Sequence, residues 1–379
     1  MSATIKSLPL TILHVLTLNG RNGEYGGPVR VARELCTELK NQGHNTHIFY
    51  GALKGSEPTP KPGLVESFTL VKPITHKFAL SSLWSWKLIK PLNQLIKKSD
   101  IVHIHFARDL ISFLTAFLST LHRKPFVTQT HGMISEERFI TRIIDLILTK
   151  PLINQSKNIF VLTEIELKAV QRLGVKSIVK VLPNGIAVDL AQGKLELVNK
   201  RVVFCARLDE RKGVSKFIEL ADSYRSSENV FEIYGPDGGE LELVRREIEK
   251  RNLSDVVHYQ GALQADEVQK LLREIDLLVL PSREDNFPMV ILEALAVGTP
   301  VLVMPSCGFA ETLKTFEPNF VAASEDLSGL LKSFEKQFAS NYSNKTQTEI
   351  IDFCTRVFGI SSVTDKLIAS YKEALNHDK

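Results

Sequence analysis

The residues best suited to chemistry lie in two short stretches of the chain's second half. In PSREDNFPMVILEALAVGTPV (Pro281 to Val301) two carboxylates, Asp285 and Glu293, stand eight residues apart. In RVVFCARLDERKGVSKFIEL two cations, Arg207 and Lys212, stand five apart. An apolar strand (Asp276 to Leu280) leads into the first stretch, and a helix beginning near Pro288 leaves it. Proline suits a helix's first turn, because the N–H it lacks has no intrahelical partner there. The N–H groups of such a loop, with the helix N-terminus behind them, favour an anion arriving at the strand's end. Carboxylates at that point suit hydrogen bonds from paired sugar hydroxyls. Taken singly, Asp285 is more readily a helix cap and Glu293 an exposed helical residue. Arg207 and Lys212 occupy the connection between a strand ending at Ala206 and a helix starting after Gly213. Two fixed cations there neutralise a diphosphate, most of all as its charge grows during bond cleavage. Taken alone, they read as solvated loop residues.

Other positions carry weaker signals. LNGRNGEYGGPVRVARELCTEL places Gly26 and Gly27 just before a helix. Backbone without side chains approaches a phosphate closely, and the helix dipole favours the anion; a flexible loop has the same composition. His131 and Gly132 in THGM end a strand, where a lone histidine is more often structural. Gly235 sits in the Gly-rich turn of IYGPDGGELE, a common strand-to-helix connection. Cys36, Cys205, Cys307 and Cys354 lack the spacing of zinc ligands or of a disulfide framework, and read as buried thiols in a reducing compartment.

These residues need elements to hold them. Strand-like runs recur along the chain: TILHVLTL, NTHIFY, DIVHIHF, PFVTQT, NIFVLT and IVKVLP, then RVVFCA, NVFEIYG, VVHYQG, DLLVLP and TPVLVM. Most are separated by ten or more residues of helical periodicity. That alternation predicts an α/β fold with two Rossmann-like, doubly wound parallel-sheet domains facing across a cleft, with ligands at the strands' carboxyl ends. The polar segment AQGKLELVNK places a linker at about 190–199. The expected domains are 1–190, 191–360 and a C-terminal helix, 361–379, packing back on the first.

A chain of 379 residues is too long for one ordinary core and suits two. With 44% hydrophobic and 24% charged residues it is neither disordered nor fibrous. The run Leu10 to Leu18 is interrupted by His14 and threonines, so it reads as a strand and not as a signal peptide. The apolar stretch Leu110 to Leu121 is well short of the ~20 residues a spanning helix needs. Net charge is +4, unevenly spread: residues 1–190 hold 24 Lys and Arg against 13 Asp and Glu. A basic half suits a phosphorylated acceptor or an anionic membrane, or is simply a solvated surface; no nucleic-acid-binding motif accompanies it. The stretch His76 to Lys98 adds Phe78, Trp84 and Trp86 among lysines with no acid, as a helix at a membrane interface or one burying Leu and Trp.

Taken together, these segments resemble the family-4 retaining glycosyltransferases of the GT-B fold. The matching features are the two acids bracketing seven residues before Ala294, Gly298, Pro300 and Val301, the R-L-x-x-x-K-G run of Arg207 and Lys212, Gly26-Gly27-x-x-Arg30, and LPNGIAVD. The resemblance implies that Glu293 binds the ribose hydroxyls, Asp285 touches the donor sugar, and Arg207 and Lys212 hold the diphosphate. It implies that the backbone of Asn286, Phe287 and Pro288 shapes the sugar–phosphate pocket. It places Gly235 near the nucleotide base, Gly26 and Gly27 over the diphosphate, His131 at the sugar's hydroxyls, and Glu311 against the sugar or phosphate loop. Asp285 stands where Glu is usual, after Glu284, so its shorter arm leaves the sugar open. The implied reaction moves a hexosyl unit from a UDP- or GDP-sugar to a hydroxyl of a glycan or lipid-linked acceptor, in the cytoplasm or at the inner face of the plasma membrane. No Asp-x-Asp occurs, so no metal and no cofactor is expected, and no residue stands out as a covalent nucleophile. A front-face mechanism is therefore expected. A non-hydrolysing nucleotide-sugar 2-epimerase and a non-catalytic nucleotide-sugar-binding protein are the alternatives.

Overall fold

Short runs rich in Val and Ile become strands because branched side chains pack well on a pleated surface, and the intervening amphipathic stretches become the helices that cover them. The computed structural model describes residues 8–20, 26–75, 81–134, 144–188, 200–226, 228–283, 285–339 and 345–376. The expected linker, together with Glu284 and Phe78, lies outside them. The chain divides into two units: residues up to Gly185 with those from Ile360 onward, and Ile186–Gly359.

Among the described residues the first unit is built on eight strands: β1 (Thr11–Leu18), β2 (Asn45–Leu53), β3 (Glu66–Pro73), β4 (Leu83–Trp84), β5 (Ile101–His105), β6 (Phe126–Gln129), β7 (Asn158–Val161) and β8 (Ile178–Val181). Their order is β4-β3-β2-β1-β5-β6-β7-β8, parallel throughout except for the antiparallel edge pair β3–β4. Alternate side chains face opposite cores. Ile12, Ile101, Val127 and Phe160 pack with Val31, Leu35 and Leu39 of α1 (Gly26–Asn41). The same face receives Val363, Leu367 and Tyr371 of the C-terminal helix (Ile360–Asn376). On the other face Leu13, Val102 and Ile159 meet Leu92 and Ile96 of α2 (Ile89–Lys98), Ile111 of α3 (Leu110–Leu121) and Val170 of α4 (Glu164–Arg172).

Among its described residues the second unit has five parallel strands: β9 (Arg201–Cys205), β10 (Val230–Tyr234), β11 (Val257–Gly261), β12 (Leu277–Leu280) and β13 (Val301–Val303), in the order β11-β10-β9-β12-β13. The winding reverses between β9 and β12, and in such sheets a ligand binds outside the strand ends at that point. The connections are α5 (Val214–Ser223), α6 (Leu241–Lys250), α7 (Ala265–Glu274), α8 (Met289–Ala296) and α9 (Ala310–Phe316), followed by α10 (Leu327–Ala339) and α11 (Gln347–Phe358).

Three local expectations change. The stretch His76 to Lys98 is not one helix: its described part is β4, a 3-10 turn at Trp86–Leu88 opened by Ser85, and α2. Strands β3 and β4 stand where no strand-like run is read, so PFVTQT, the fourth such run and the one that leads to His131, is the sixth strand, β6. Pro288, at φ −70° and ψ 106°, caps α8 and is not inside it. All four cysteines are buried and unbridged. Among the described residues no helix is long and apolar enough to cross a membrane.

Leu367 is fully buried between the C-terminal helix and the sheet. Leu367→Ala is expected to destabilise the protein by about 2–5 kcal/mol, from lost transfer energy plus the cavity left behind. Urea unfolding would measure it, and a loss under about 1 kcal/mol would show that the helix is not part of the core.

Candidate functional site

In the second unit the connection after β9 is shaped by contact with the strand beside it. Asp209 opens a 3-10 turn, Glu210–Lys212, by accepting from the Arg211 N–H at 3.1 Å, and Gly213 closes it at φ +74°. A Cβ at Gly213 would stand 2.1 Å from the Pro281 carbonyl oxygen, so only glycine allows this turn to rest on the end of β12. The Arg283 N–H donates to the Arg211 carbonyl at 2.7 Å, which fastens the two loops together. As a result Lys212 Nζ lies 2.5 Å from Asp285 Oδ2, with the side chains 26% and 14% exposed. The structure thus joins one predicted cation to one predicted acid, 73 residues apart in sequence.

Arg207 is exposed at the end of β9. Its backbone is locked to the turn after β10: Ala206 N–H donates to the Tyr234 carbonyl at 3.1 Å, Leu208 N–H to Pro236 at 2.9 Å, and Gly238 N–H to Leu208 at 3.0 Å. Gly235 makes this possible, since at φ +147° a Cβ would lie 1.8 Å from the Ala206 carbonyl oxygen. The Tyr259 hydroxyl donates to the Gly235 carbonyl at 3.0 Å.

Glu293, on α8, is not the exposed helical residue its spacing alone suggests: it is 7% exposed. Its charge acts on Cys205, whose thiol burial has already pushed up to about 12, so the carboxylate lies near the end of β9. Asn286 is partly buried, while Phe287 and Pro288 are buried. The Phe287 ring packs on Phe309 at 4.8 Å, so its side chain belongs to the core and its backbone alone lines the loop. The Gly308 N–H donates to the Asp285 carbonyl at 2.8 Å, tying in the loop ahead of α9. The Glu311 side chain is 88% exposed and 3.8 Å from Lys314.

In the first unit Gly26 begins α1, and a Cβ at Gly27 would meet none of the described residues within 4 Å. The five residues before Gly26 lie outside the described set. His131 follows β6 at φ +48°, a backbone region rarely entered except by glycine. Its turn is held by Glu166, which accepts from the Gly132 N–H at 2.5 Å, from the Thr130 hydroxyl at 2.5 Å and from the Leu162 N–H at 2.7 Å. Burial pushes the Glu166 carboxyl up, and these donors oppose that shift. Sequence reasoning missed Glu166, which the sequence presents only as one of two acids in the first turn of an ordinary helix.

It also missed three histidines behind His131. His14, His103 and His105 are buried in β1 and β5, with Nδ1 of His105 2.7 Å from Nε2 of His131. The signal was present in IVHIH, where residues i and i+2 of a strand share a face. Burial lowers the pKa of His14 to about 3 and of His131 to about 4, and pushes His103 and His105 well below the usual range.

Comparison with known proteins follows the same division. Residues 25–190 match the model of glycosyltransferase family 4, and residues 189–351 match that of glycosyl transferases group 1. A 41.2 kDa protein of the cps region of Klebsiella pneumoniae is 24% identical over 77% of this chain and 84% of its own length. The GDP-mannose:cellobiosyl-diphosphopolyprenol alpha-mannosyltransferase of Xanthomonas campestris is 23% identical over 55% of this chain, which spans about half (56%) of that relative. Among solved structures, Anabaena HepE in complex with UDP and glucose has a TM-score of 0.74 at 16% identity, covering 96% of this chain and 99% of that one. The lipopolysaccharide outer core galactosyltransferase WaaB has a TM-score of 0.70 at 15% identity, covering 98% and 100%. These two structures share the fold.

When the chain unfolds, the four rings enter water, where they titrate near 6.5. Below that pH the unfolded chain binds more protons than the folded one, so stability is full above about 6.5 and is lost on acidification toward 4. Urea titrations near pH 7.5, 6 and 5 are expected to show unfolding free energy falling by up to about 1.4 kcal/mol per pH unit for each ring. A profile flat over that span would contradict three buried neutral imidazoles beside a partly buried fourth.

Proposed function

This chain belongs to the family-4 glycosyltransferases of the GT-B fold, and on that premise we propose that it moves a hexosyl unit, with retention, from a UDP- or GDP-sugar to a hydroxyl of a glycan or lipid-linked acceptor. The observation that carries the reading is the convergence of Arg207, the Lys212–Asp285 pair and Glu293 on the ends of β9 and β12, where the winding of the second sheet reverses.

In this reading Lys212 and Arg207 bind the diphosphate and take up its growing negative charge as the glycosidic bond to phosphate breaks. Glu293 accepts from the ribose hydroxyls. Asp285 keeps the Lys212 ammonium in place and, when the donor is bound, accepts from a sugar hydroxyl. Gly235 lies toward the base, and the backbone of Asn286 to Pro288 bounds the sugar–phosphate pocket. Gly27, whose Cβ would meet none of the described residues, lets a phosphate approach the start of α1. His131 serves the sugar's hydroxyls and Glu311 stands at the rim. No metal or cofactor has a part in this scheme, because two fixed cations do the work on the diphosphate. The departing phosphate takes the acceptor's proton on the same face of the sugar.

Both nucleotides have support among relatives: HepE is solved with UDP-glucose, and the Xanthomonas relative is named for GDP-mannose. The cps region of the Klebsiella relative supports a part in surface-glycan assembly. A place on the cytoplasmic face of the membrane is supported by the basic residues 1–190 and by Trp86, 76% exposed beside Lys87. No nucleic acid enters the reading.

A thermal-shift panel of UDP, GDP and their sugars is expected to show stabilisation by one base, growing with ligand concentration over Kd. Lys212→Met is expected to weaken that binding roughly tenfold to a hundredfold, the scale of about 1.5–3 kcal/mol for a charged hydrogen bond. Glu293→Ala is expected to abolish transfer while circular dichroism stays that of the folded protein. Full transfer by either variant would sink the assignment. Conversion of a donor sugar without acceptor would indicate an epimerase, and binding without turnover a carrier.

A further inference from the structure

The histidines of the first unit form a row across the sheet. His14 on β1 pairs in register with His103 on β5, His105 follows on the same face, and His131 lies two residues beyond Gln129, the register partner of His105. Nδ1 of His14 is 3.0 Å from Nε2 of His105, and Nδ1 of His105 is 2.7 Å from Nε2 of His131. His103 stacks on His105 at 4.6 Å and 5°, and its Nδ1 lies 2.6 Å from the Tyr371 hydroxyl.

His14, His103 and His105 have nitrogens within 4.8 Å of one another, close enough to suggest a metal. The ring geometry argues otherwise. His103 stacks on His14 with an interplanar angle of 28° and on His105 with one of 5°. Lone pairs lie in the ring planes, so stacked rings do not aim them at one centre as a metal requires. Both nitrogens of His105 are also taken up by the rings on either side.

A neutral imidazole has one N–H and one lone pair. Each of the two contacts needs one hydrogen, so only two arrangements keep both. In the first, all three rings carry hydrogen on Nδ1: His14 donates to His105, His105 donates to His131, and His131 keeps an Nδ1–H. In the second, all carry it on Nε2 and every bond reverses, leaving Nδ1 of His131 a bare lone pair. The far end of the row decides between them. Nε2 of His14 is buried and has no partner among the described residues. The first arrangement leaves a lone pair there, the second an N–H with nothing to donate to, and orphaned buried N–H groups are the rarer case.

We infer that His14 and His105 are positioning residues that fix His131 as the neutral Nδ1–H tautomer, so that it meets its ligand as a hydrogen-bond donor to oxygen. Nδ1 of His131 has no partner among the described residues, and the ring is only partly buried, which leaves that donor available. Identifying the oxygen as a hydroxyl of the transferred sugar rests on the transferase reading; the tautomer does not.

Long-range proton–nitrogen correlation spectra of the full chain, labelled with nitrogen-15 in histidine, separate the two tautomers by their cross-peak patterns. Peaks of His131 are assigned by their loss in His131→Gln. The expected result is the Nδ1–H pattern for His14, His105 and His131 at neutral pH. In His105→Phe, which keeps a flat ring in the stack, His131 is expected to lose the pure Nδ1–H pattern and give a mixture. An Nε2–H or doubly protonated His131 in the wild type would overturn the inference, as would a pure Nδ1–H pattern surviving in His105→Phe. Should that variant not fold, the wild-type spectrum still decides, since an Nε2–H on any of the three rings breaks the row. These spectra need no substrate, so absence of transferase activity would leave the tautomer result standing.

Discussion

The 2.1 Å that would separate a Cβ at Gly213 from the Pro281 carbonyl oxygen sets the geometry of the second unit's strand ends. Because the backbones there touch, the turn after β9 rests directly on the loop after β12, fastened again by Arg283 N–H to Arg211 carbonyl at 2.7 Å. Lys212 and Asp285 are thereby held within 2.5 Å without much freedom for either chain to lose. An exposed ion pair on two independent loops contributes little, because ordering both side chains offsets the Coulomb gain. Here the backbone contact has already ordered them. Gly235 repeats the device one strand over, letting the β10 turn lie against Ala206 so that Arg207 leaves β9 from a fixed base.

The same constraint explains why the segments carrying the family resemblance are also the ones rich in glycine. Parallel strands bring several loops to one edge of the sheet, and close approach of two such loops excludes a Cβ at the contact. A glycine in that position is a packing requirement first. The same bare backbone suits the proposed ligand, since a backbone that can touch another backbone can also touch a phosphate.

Much of this was legible in the sequence, and the gaps have physical causes. Eleven strand-like runs fall on strands, most of them because buried parallel strands read as continuous apolar segments. β3 went unread: ESFTLVKP lies next to the sheet's edge, mostly partly buried or exposed, and its polar alternation resembles a loop. The stretch from His76 failed for another reason. Its basic and aromatic composition fits a helix, but Ser85 accepts from the Lys87 N–H and starts a new turn there, with Leu88 buried behind it. Arg207, Lys212, Asp285 and Glu293 were readable as a set because each sits at a strand end or in the following helix. Their pairing was not, because it depends on which strands are neighbours. β9 and β12 lie beside each other while 71 residues of chain separate their ends.

Glu166 and the histidine row show what sequence patterns conceal most readily. A glutamate in the first turn of a helix is an ordinary favourable choice, since its charge meets the positive end of the helix dipole. The structure gives Glu166 a second task, accepting from Gly132, Thr130 and Leu162 at once, which stabilises a left-handed His131 that would otherwise be strained. Burying that carboxylate is costly unless its lone pairs are filled, and here three donors fill them. Behind it, His14, His103 and His105 replace the Val and Ile that the middle of a parallel sheet ordinarily takes. Apolar side chains there would pack at least as well and would not lose stability on acidification. The hydrogen-bonded contact from His105 to His131 is what an apolar core could not supply. The polar row therefore makes sense as support for the one ring at its partly buried end.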